Sequence, residues 1–384
     1  MTVYLDHNAT TPLDERVLEA MLPYLRGKYG NSSSVHAPGR EARNALDLAR
    51  ERVAALVNAH PSQVVFTSGG TEANNTAIKG VAFATTAAKM VLGPTEHASV
   101  RAVTEALRHH GWNMEHAGCD EDGLVSAQTL LQAVDTDTRL ASVMWVNNES
   151  GAIAPIAELA EACRERDILF HTDAVQAAGK VELDFAASRV QLMSLSAHKL
   201  YGPKGVGALI VDKAVSLEPL LHGGGQERGR RGGTENIAAI AGFGKAAELA
   251  KSELVARQRQ VLSLRDYFEQ ALSQALPQAV IFAAGAERLP NTSFFAIPPL
   301  EGRTLIMALD RLGFAIASGS ACGSEQYQPS HVLKAMGVAT ELAHGAMRVS
   351  FGMQNSEGDV DSLISAFTSQ IKQLQGMGAA TAWI

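Results

Sequence analysis

The stretch ILFHTDAVQAAGK (Ile168–Lys180), followed after a spacer by LMSLSAHKLYGPKGVG (Leu192–Gly207), decides the fold. Each part is a short apolar run that ends abruptly in polar residues, which is typical of a buried strand in an α/β protein. Asp173 follows the first run and Lys199 follows the second. Ligand-handling residues of an open α/β sheet lie beyond the carboxyl ends of its strands. We therefore expect these two side chains at one edge of a sheet.

A lysine and a carboxylate at such an edge match the needs of pyridoxal phosphate (PLP). The lysine forms a Schiff base with this cofactor, and the acid keeps the pyridine nitrogen protonated. Taken alone, the pair fits equally well a surface lysine beside a Gly/Pro-rich turn and an aspartate that caps a helix. The choice between them depends on the rest of the chain.

The whole chain alternates between strand and helix patterns. Apolar runs predict strands at 64–67, 90–92, 140–146, 168–171, 192–196 and 206–211, with helices between them. This alternation predicts a mostly parallel sheet covered by helices on both faces. After a long polar helix predicted at 248–276, strands are predicted at 279–282, 292–297, 314–317 and 347–351. We predict a large domain over 1–250, whose extreme N-terminal segment packs on a smaller α+β domain over 251–384.

Composition restricts the class of protein. A net charge of −7, with 46% hydrophobic and 19% charged residues, is typical of an ordinary globular protein and argues against nucleic-acid binding and against an acidic membrane surface. No apolar run is long enough to span a membrane, and the N-terminus does not resemble a signal peptide. Three scattered cysteines suit neither a disulfide framework nor a zinc site. We therefore expect a cytoplasmic protein.

A second motif, VVFTSGGTEANN (Val64–Asn75), combines a strand, a tight Ser-Gly-Gly turn and a helix start. Glycines let the backbone approach an anion closely, and the free N–H groups at the start of a helix bind it. Gly70 and Thr71 therefore fit a single phosphate group, although a glycine turn with a threonine cap is the alternative. The motif lacks the P-loop and G-x-G-x-x-G patterns, so neither ATP nor a dinucleotide is favoured.

Two further polar positions follow predicted strands. His97, in GPTEHASV, lies where a histidine can stack on a flat ring and move protons near neutral pH. Asn148, in VNNESG, lies where its side chain can bond a phenolic oxygen or a substrate carboxylate. A capping histidine and ordinary turn chemistry explain these positions at least as well. The histidines lack the spacing of metal ligands, so we predict no metal site.

Cys322 lies in ASGSACGSEQYQPS, among small and polar residues between a predicted strand and a predicted helix. Structural cysteines are usually buried among apolar neighbours, as expected for Cys163 in its helical pattern. A thiol on a Gly/Ser-rich arm suits a nucleophile that travels between sites. Arg348 is an isolated charge in the apolar run AMRVSFG, and such an arginine needs a carboxylate partner, either in the protein or on a substrate.

Taken together, these motifs resemble the NifS/IscS-type cysteine desulfurases, which are fold-type I PLP enzymes of the class-V aminotransferase group. The likeness runs nearly end to end, and the joint order of the motifs is far more specific than any one of them. It includes YLDHNATTP, YGNSSS, VFTSGGTEANN, TEH, VNNESG, FHTDAVQ, SAHKLYGPKG, HGGGQERGRRGGTEN, SGSAC and MRVSFG. The resemblance implies a seven-stranded, mostly parallel sheet flanked by helices in the large domain, and a homodimer.

The cofactor site implied by the resemblance draws on several strands and loops. Lys199 would form the Schiff base, Asp173 would bond the pyridine nitrogen and His97 would stack on the ring. Contacts to the phenolic oxygen or the phosphate would come from Gln176, Asn148, Gly70, Thr71, Ser196, His198 and Thr234. Thr234 would reach the phosphate of the neighbouring subunit. Relatives often have alanine at the position of Gly70, and we expect the glycine of this chain to be tolerated in a phosphate turn.

The substrate implied by the resemblance is L-cysteine. Arg348, assisted by Asn148 and with Asn31 nearby, would bind its carboxylate, and the freed Lys199 amine would remove the Cα proton. Cys322 would attack the substrate sulfur and become a persulfide, while the remainder leaves as L-alanine. A sulfur-acceptor protein, either an iron–sulfur scaffold or a thiolation enzyme, would take the sulfur. Cys322 would also contact a nascent iron–sulfur cluster transiently.

Two other functions stay open at this point. A selenocysteine lyase, or another PLP-dependent β-eliminating lyase, would share the fold and the lysine without requiring Cys322. A non-catalytic sulfur-relay scaffold would belong to a different class of protein. The joint presence of Lys199, Asp173, His97 and Arg348 argues against the scaffold.

Overall fold

The computed structural model describes residues 2–318 and 328–381, with side chains up to residue 373. Within these residues the helices are α1 (Glu15–Arg26), α2 (Ala37–Leu56), α3 (Gly70–Ala84), α4 (Ala98–Leu107), α5 (Ala127–Ala133), α6 (Ile156–Arg164), α7 (Ile237–Ser252), α8 (Leu254–Ala275), α9 (Gly302–Arg311), α10 (His331–Ala335), α11 (Thr340–His344) and α12 (Glu357–Thr381). No helix of this part of the chain is both long and apolar enough to cross a membrane.

A seven-stranded sheet lies at the centre of the molecule. Its strands are β2 (Val64–Thr67), β3 (Lys89–Leu92), β4 (Asn113–His116), β5 (Thr138–Ser142), β6 (Leu169–Asp173), β7 (Leu192–Ser196) and β8 (Gly207–Val211), after the short β1 (Val3–Tyr4). The strand order is β2-β8-β7-β6-β5-β3-β4. β8 is antiparallel to both of its neighbours, and the other pairs are parallel. The predicted fold, a mostly parallel seven-stranded sheet, is confirmed.

Both faces of this sheet are buried, because successive side chains of a strand point to opposite sides. Val64 and Phe66 belong to the apolar cluster that also holds Leu46 of α2 and Phe243 of α7. Val65, between them in the chain, belongs to a second cluster with residues of α3 and α4. Helices therefore cover both faces, as the alternating pattern predicted.

A smaller sheet lies in the C-terminal part of the chain. It contains β9 (Val280–Ile281), β10 (Thr292–Ala296), β12 (Ala317–Ser318) and β13 (Ala346–Ser350), in the antiparallel order β12-β13-β10-β9. An apolar cluster of its own joins β10 and β13 to α8 and α12. β1 pairs in parallel with β11 (Phe314–Ala315), which brings the N-terminal segment against this part. We propose, in line with this separate cluster, that the domain boundary lies near residue 250.

Three local predictions differ from the structure. The single helix predicted at 248–276 is interrupted, because α7 ends at Ser252 and α8 begins at Leu254. The strand predicted at 140–146 begins at Thr138 and ends at Ser142. β4, with the sequence NMEH, is an edge strand whose side chains are mostly exposed. It therefore lacks the apolar run by which a strand is recognised in a sequence.

Candidate active site

The Lys199 segment follows β7 and folds back onto the N-terminal segment. Ala197–Lys199 form a short 3₁₀ helix directly after the strand. The Lys199 Nζ donates to the carbonyl oxygen of Asn8 and, at 2.8 Å, to that of Ala9. His198 contacts the Thr10 hydroxyl at 3.1 Å through Nδ1. Burial, together with the nearby lysines, lowers the pKa of His198 to about 4, so its ring is neutral at physiological pH.

Asp173 ends β6 and is 5% exposed. Its Oδ2 accepts a hydrogen bond from Asn74 Nδ2 at 2.7 Å, and its Oδ1 accepts one from the Val175 N–H at 3.0 Å. Both donors are neutral. They fix the orientation of the carboxylate without neutralising its charge.

A chain of side-chain hydrogen bonds connects Asp173 to His97. The Asn74 amide also donates to Ser99 Oγ at 2.8 Å, and Ser99 Oγ lies 2.7 Å from His97 Nδ1. His97 is the exposed N-cap of α4, and its Nδ1 accepts the N–H of Ser99. Because Nδ1 acts as an acceptor, the proton of the neutral ring is assigned to Nε2. His97, the expected ring-stacking residue, and Asp173, the expected acid, therefore belong to one hydrogen-bond network.

Glu96, the residue before His97, is fully buried beside this network. Its Oε1 accepts the N–H of Met144, and its Oε2 has no hydrogen-bond partner within the described residues. Burial, and then the nearby Asp173, raise the pKa of Glu96 well above its ordinary value. The raised pKa favours the neutral form of Glu96, which adds no second negative charge next to Asp173.

The turn before α3 lies against the ends of β6 and β7. A Cβ atom added to Gly70 would lie 2.7 Å from Val175 Cγ2 and 3.6 Å from Ser196 Cβ. The N-cap residue Gly69, at φ 155°, makes no side-chain cap hydrogen bond, so the first turn of α3 has no such cap. An alanine at position 70 would force Val175 to move, because this branched side chain is packed at the contact. The glycine of this chain therefore fits the close contact with Val175.

Asn8 connects the large sheet to the smaller one. Its carbonyl oxygen accepts the Nε2 of Gln176 at 2.8 Å as well as the amine of Lys199. Its side-chain amide donates to Thr292 Oγ1 of β10 at 2.8 Å, and its own N–H donates to Ser350 Oγ of β13. Asn8 is 1% exposed. The YLDHNATTP motif thus places a buried amide directly behind Lys199.

Arg348 of β13 lies on the same side of the site and is 3% exposed. Its Nη2 pairs with Asp6 Oδ1 at 2.6 Å, and its Nη1 donates to the carbonyl oxygen of Asn148 at 2.7 Å. The carboxylate partner that the sequence required is therefore present in the protein. Arg348 Nε has no hydrogen-bond partner within the described residues. A role for Arg348 in binding a substrate carboxylate stays a prediction.

The remaining predicted residues lie on exposed loops, at the exposed start of α3, or outside the described chain. Asn31 bonds within its own exposed loop, to the N–H of Ser33. Thr234 is exposed, in a loop that Arg231 ties to Glu72 of α3 at 2.8 Å. Thr71 is exposed in the first turn of α3. Cys322 lies outside the described residues.

Comparisons with known proteins identify the family. The model of the family "Aminotransferase class-V" matches residues 3–363. This chain belongs to that family. It is 43% identical over 375 residues to the cysteine desulfurase IscS of Dictyoglomus turgidum, with 97% of this chain and 95% of the relative covered. Within the family, it therefore groups with the IscS cysteine desulfurases.

Solved structures agree with this assignment to the class-V aminotransferases. A NifS-like protein superposes with a TM-score of 0.91 at 37% identity, covering 97% of this chain and all of that one. A protein called SspA, solved in complex with cysteine, superposes with a TM-score of 0.82 at 35% identity. That alignment covers 91% of this chain and 99% of SspA. The NifS/IscS resemblance seen in the sequence is confirmed.

Several residues of this class-V aminotransferase site had no role in the sequence interpretation. Asn8, Asn74, Ser99 and Lys180 make the hydrogen bonds that hold the predicted site residues in place. Asn8 and Asn74 lie inside motifs that the sequence singled out, so their motifs were the available signal. Ser99 and Lys180 also lie inside quoted stretches, GPTEHASV and ILFHTDAVQAAGK, but only the folded chain brings them to Asn74 and Asn8.

Glu149 also belongs to this group of unexpected residues. It is 6% exposed and accepts the hydroxyl hydrogen of Ser330, which caps α10 at its N-terminus. Burial raises the pKa of Glu149 to about 7, against an ordinary value of 4.5. The folded protein therefore holds a proton on Glu149 over a pH range in which the unfolded chain has released it.

We expect this proton to make stability depend on pH. Between about pH 4.5 and pH 7 the folded state binds the extra proton, so the contribution of Glu149 to stability falls as pH rises. A difference of that size corresponds to about 3 kcal/mol. The Glu149→Gln variant should lack this loss, so its stability relative to the native protein should increase from pH 5 to pH 8. Urea unfolding of both proteins at several pH values measures the difference in their free energies of unfolding, and the exposed Glu121→Gln variant serves as control. A constant difference would contradict the assignment.

Proposed function

We propose that this chain is a PLP-dependent cysteine desulfurase, which converts L-cysteine to L-alanine and holds the sulfur as a persulfide on Cys322. The observation that carries the proposal is the placement of Lys199 and Asp173 at the ends of the adjacent parallel strands β7 and β6. Full-length similarity to proteins named cysteine desulfurase supports it.

The residues present fit PLP. Asp173 is buried, and its partners Asn74 and Val175 donate neutral hydrogen bonds. A buried carboxylate without a cationic partner is costly, so a protonated pyridine nitrogen would stabilise it. The first turn of α3, at Gly70, begins without a side-chain cap and has N–H groups suited to a phosphate.

The other proposed cofactor contacts are those that the family resemblance implies. Lys199 would hold the cofactor covalently and Asp173 through its ring nitrogen. Gln176 and Asn148 would contact the phenolic oxygen. The phosphate would be held by Gly70, Thr71, Ser196, His198 and Thr234 of a second subunit. When bound, PLP supplies an electron sink for the charge that develops at the substrate Cα.

The chain's own residues would handle the substrate. Arg348 binds the carboxylate of L-cysteine, with Asn148 and Asn31 assisting, and the Lys199 amine takes the Cα proton. His97, whose ring proton lies on Nε2, is assigned to the proton of the substrate thiol. The Cys322 thiolate attacks the substrate sulfur, so a sulfur–sulfur bond forms as the carbon–sulfur bond breaks. The carbon takes a proton, and L-alanine leaves.

A homodimer fits the exposed surface next to the loop that carries Thr234. Tyr29 and Val35 are 90% and 88% exposed, and Ser32 between them bonds Glu235 of that loop at 2.8 Å. Large apolar side chains so exposed favour contact with a second protein surface. A second copy placed there would bring its Thr234 close to a neighbouring phosphate site. Sedimentation of the holo-protein as a monomer at micromolar concentration would contradict this proposal.

A sulfur-acceptor protein, either an iron–sulfur scaffold or a thiolation enzyme, would take the persulfide sulfur. Cys119 and Cys163 are free thiols, which supports a reducing, cytoplasmic location. Transfer of radiolabelled sulfur from Cys322 to proteins of the same cell would identify the acceptor. Absence of any labelled protein acceptor would contradict this part of the proposal.

Product analysis tests the proposed reaction. Purified protein loaded with PLP and supplied with L-cysteine and a thiol reductant is expected to release L-alanine and sulfide in equal amounts. A β-eliminating lyase would release pyruvate and ammonia together with sulfide. Pyruvate as the main product would therefore contradict the desulfurase assignment and support the β-eliminating lyase.

A further inference from the structure

Lys180 is a lysine that the proposed reaction leaves without a role, although it lies next to Lys199. Its Nζ donates to Gln176 Oε1 at 2.8 Å and to Asn8 Oδ1 at 2.9 Å. Gln176 and Asn8 are 5% and 1% exposed. The Lys180 amine therefore bonds the side chains of Gln176 and Asn8. The carbonyl oxygen of Asn8 accepts hydrogen bonds from both Gln176 Nε2 and Lys199 Nζ, so it connects this group to Lys199.

Lys180 and the carbonyl oxygen of Asn8 together fix which way the Gln176 amide faces. A lysine side chain donates hydrogen bonds to both of its acceptors here, so the oxygen of the amide must face Lys180 and its NH₂ must face the other way. One hydrogen of that NH₂ goes to the carbonyl oxygen of Asn8 at 2.8 Å. The second hydrogen of the Gln176 NH₂ group is then available to a hydrogen-bond acceptor on a ligand. The phenolic oxygen of the proposed cofactor is such an acceptor.

Several basic groups lie near Lys180. Lys199, Arg348 of β13, His198 and His7 interact electrostatically with it. Burial, then Lys199 and Arg348, lower the pKa of Lys180 well below the ordinary lysine value. By the same interaction, a positive charge on Lys180 makes it harder for a proton to stay on the nitrogen of Lys199.

We propose that Lys180 is a positioning residue that holds Gln176 as a hydrogen-bond donor toward the cofactor and thereby sets the proton affinity of the Lys199 nitrogen in the holoenzyme. The inference rests on the proposed function. It concerns residues other than those that touch the substrate.

The pH titration of the visible absorption band of the holoenzyme tests the inference, because this band reports the protonation of the nitrogen that joins Lys199 to the cofactor. In Lys180→Met the donor that orients Gln176 is lost, together with any positive charge on the Lys180 amine. Both losses favour protonation of the nitrogen that joins Lys199 to the cofactor. We expect the titration midpoint to rise by about one pH unit. Lys204→Met removes an exposed lysine that also faces His198 but has no bond to Gln176, and should move the midpoint far less.

A double-mutant cycle separates positioning from simple charge removal. If Lys180 acts through Gln176, the shifts of Lys180→Met and Gln176→Leu should be clearly less than additive in the double variant. Lys180→Gln, which keeps a shorter donor, should give an intermediate shift and serves if the methionine variant does not fold. An unmoved midpoint in these Lys180 variants, an equal shift in Lys204→Met, or full additivity would each overturn the inference. Absence of any visible band in the native protein would instead contradict the proposed function.

Discussion

Lys199→Ala is expected to abolish the visible absorption band of the PLP-loaded protein and to lower L-cysteine desulfuration by about 10³-fold or more. Lys199 is both the proposed attachment point and the proposed base, so one substitution removes two functions. Lys204→Ala is the matched control, because Lys204 is an exposed lysine five positions later in the same turn. Absorbance spectra and alanine release measure the two effects. A variant that keeps its band and its turnover would contradict the assignment of Lys199.

Cys322→Ala is expected to keep the visible band but to reduce persulfide and sulfide formation from L-cysteine to background. The reason is that removal of the thiol removes the acceptor of the substrate sulfur and leaves the proposed cofactor site intact. Cys119→Ala serves as the control, because Cys119 is a half-buried thiol whose pKa is raised by burial and whose Sγ bonds the carbonyl oxygen of Ala335.

The same variant distinguishes a desulfurase from a selenocysteine lyase. A lyase selective for selenocysteine does not need the thiol, so it would keep its turnover of that substrate in Cys322→Ala. Undiminished desulfuration of L-cysteine would contradict the role of Cys322 as the sulfur acceptor. Loss of the visible band together with the activity would show instead that Cys322 supports the cofactor site.

The central sheet could be predicted from the sequence because its strands are buried on both faces. The strands at 64–67 and 192–196 were predicted with their observed bounds, since each is a short, mostly apolar run between turn residues. β4 escaped prediction because an edge strand need not be apolar. The break at Glu253 also escaped, because the helical pattern continues across it and Glu253 ties Arg16 and Arg257 through ion pairs that depend on the folded chain.

For the candidate site, the sequence placed polar residues at strand ends but could not say what holds them. Asp173 and Lys199 were expected at one sheet edge because they follow adjacent strands. The bonds from Asn74 to Asp173 and from Asn8 to Gln176 join residues far apart in the chain. No periodicity or local spacing reveals such pairs. The packing of Gly70 on Val175 was likewise hidden, because a close approach between two turns appears only in three dimensions.

The central claim is that Lys199 is the residue that binds PLP covalently at this site. Reduction of the PLP-loaded protein with borohydride, followed by peptide mapping by mass spectrometry, tests it most directly. We predict that the reduced adduct lies on Lys199. Lys180 provides the sharpest alternative, because its amine shares Asn8 with that of Lys199. An adduct on Lys180 or on another lysine, or no adduct at all, would contradict the claim.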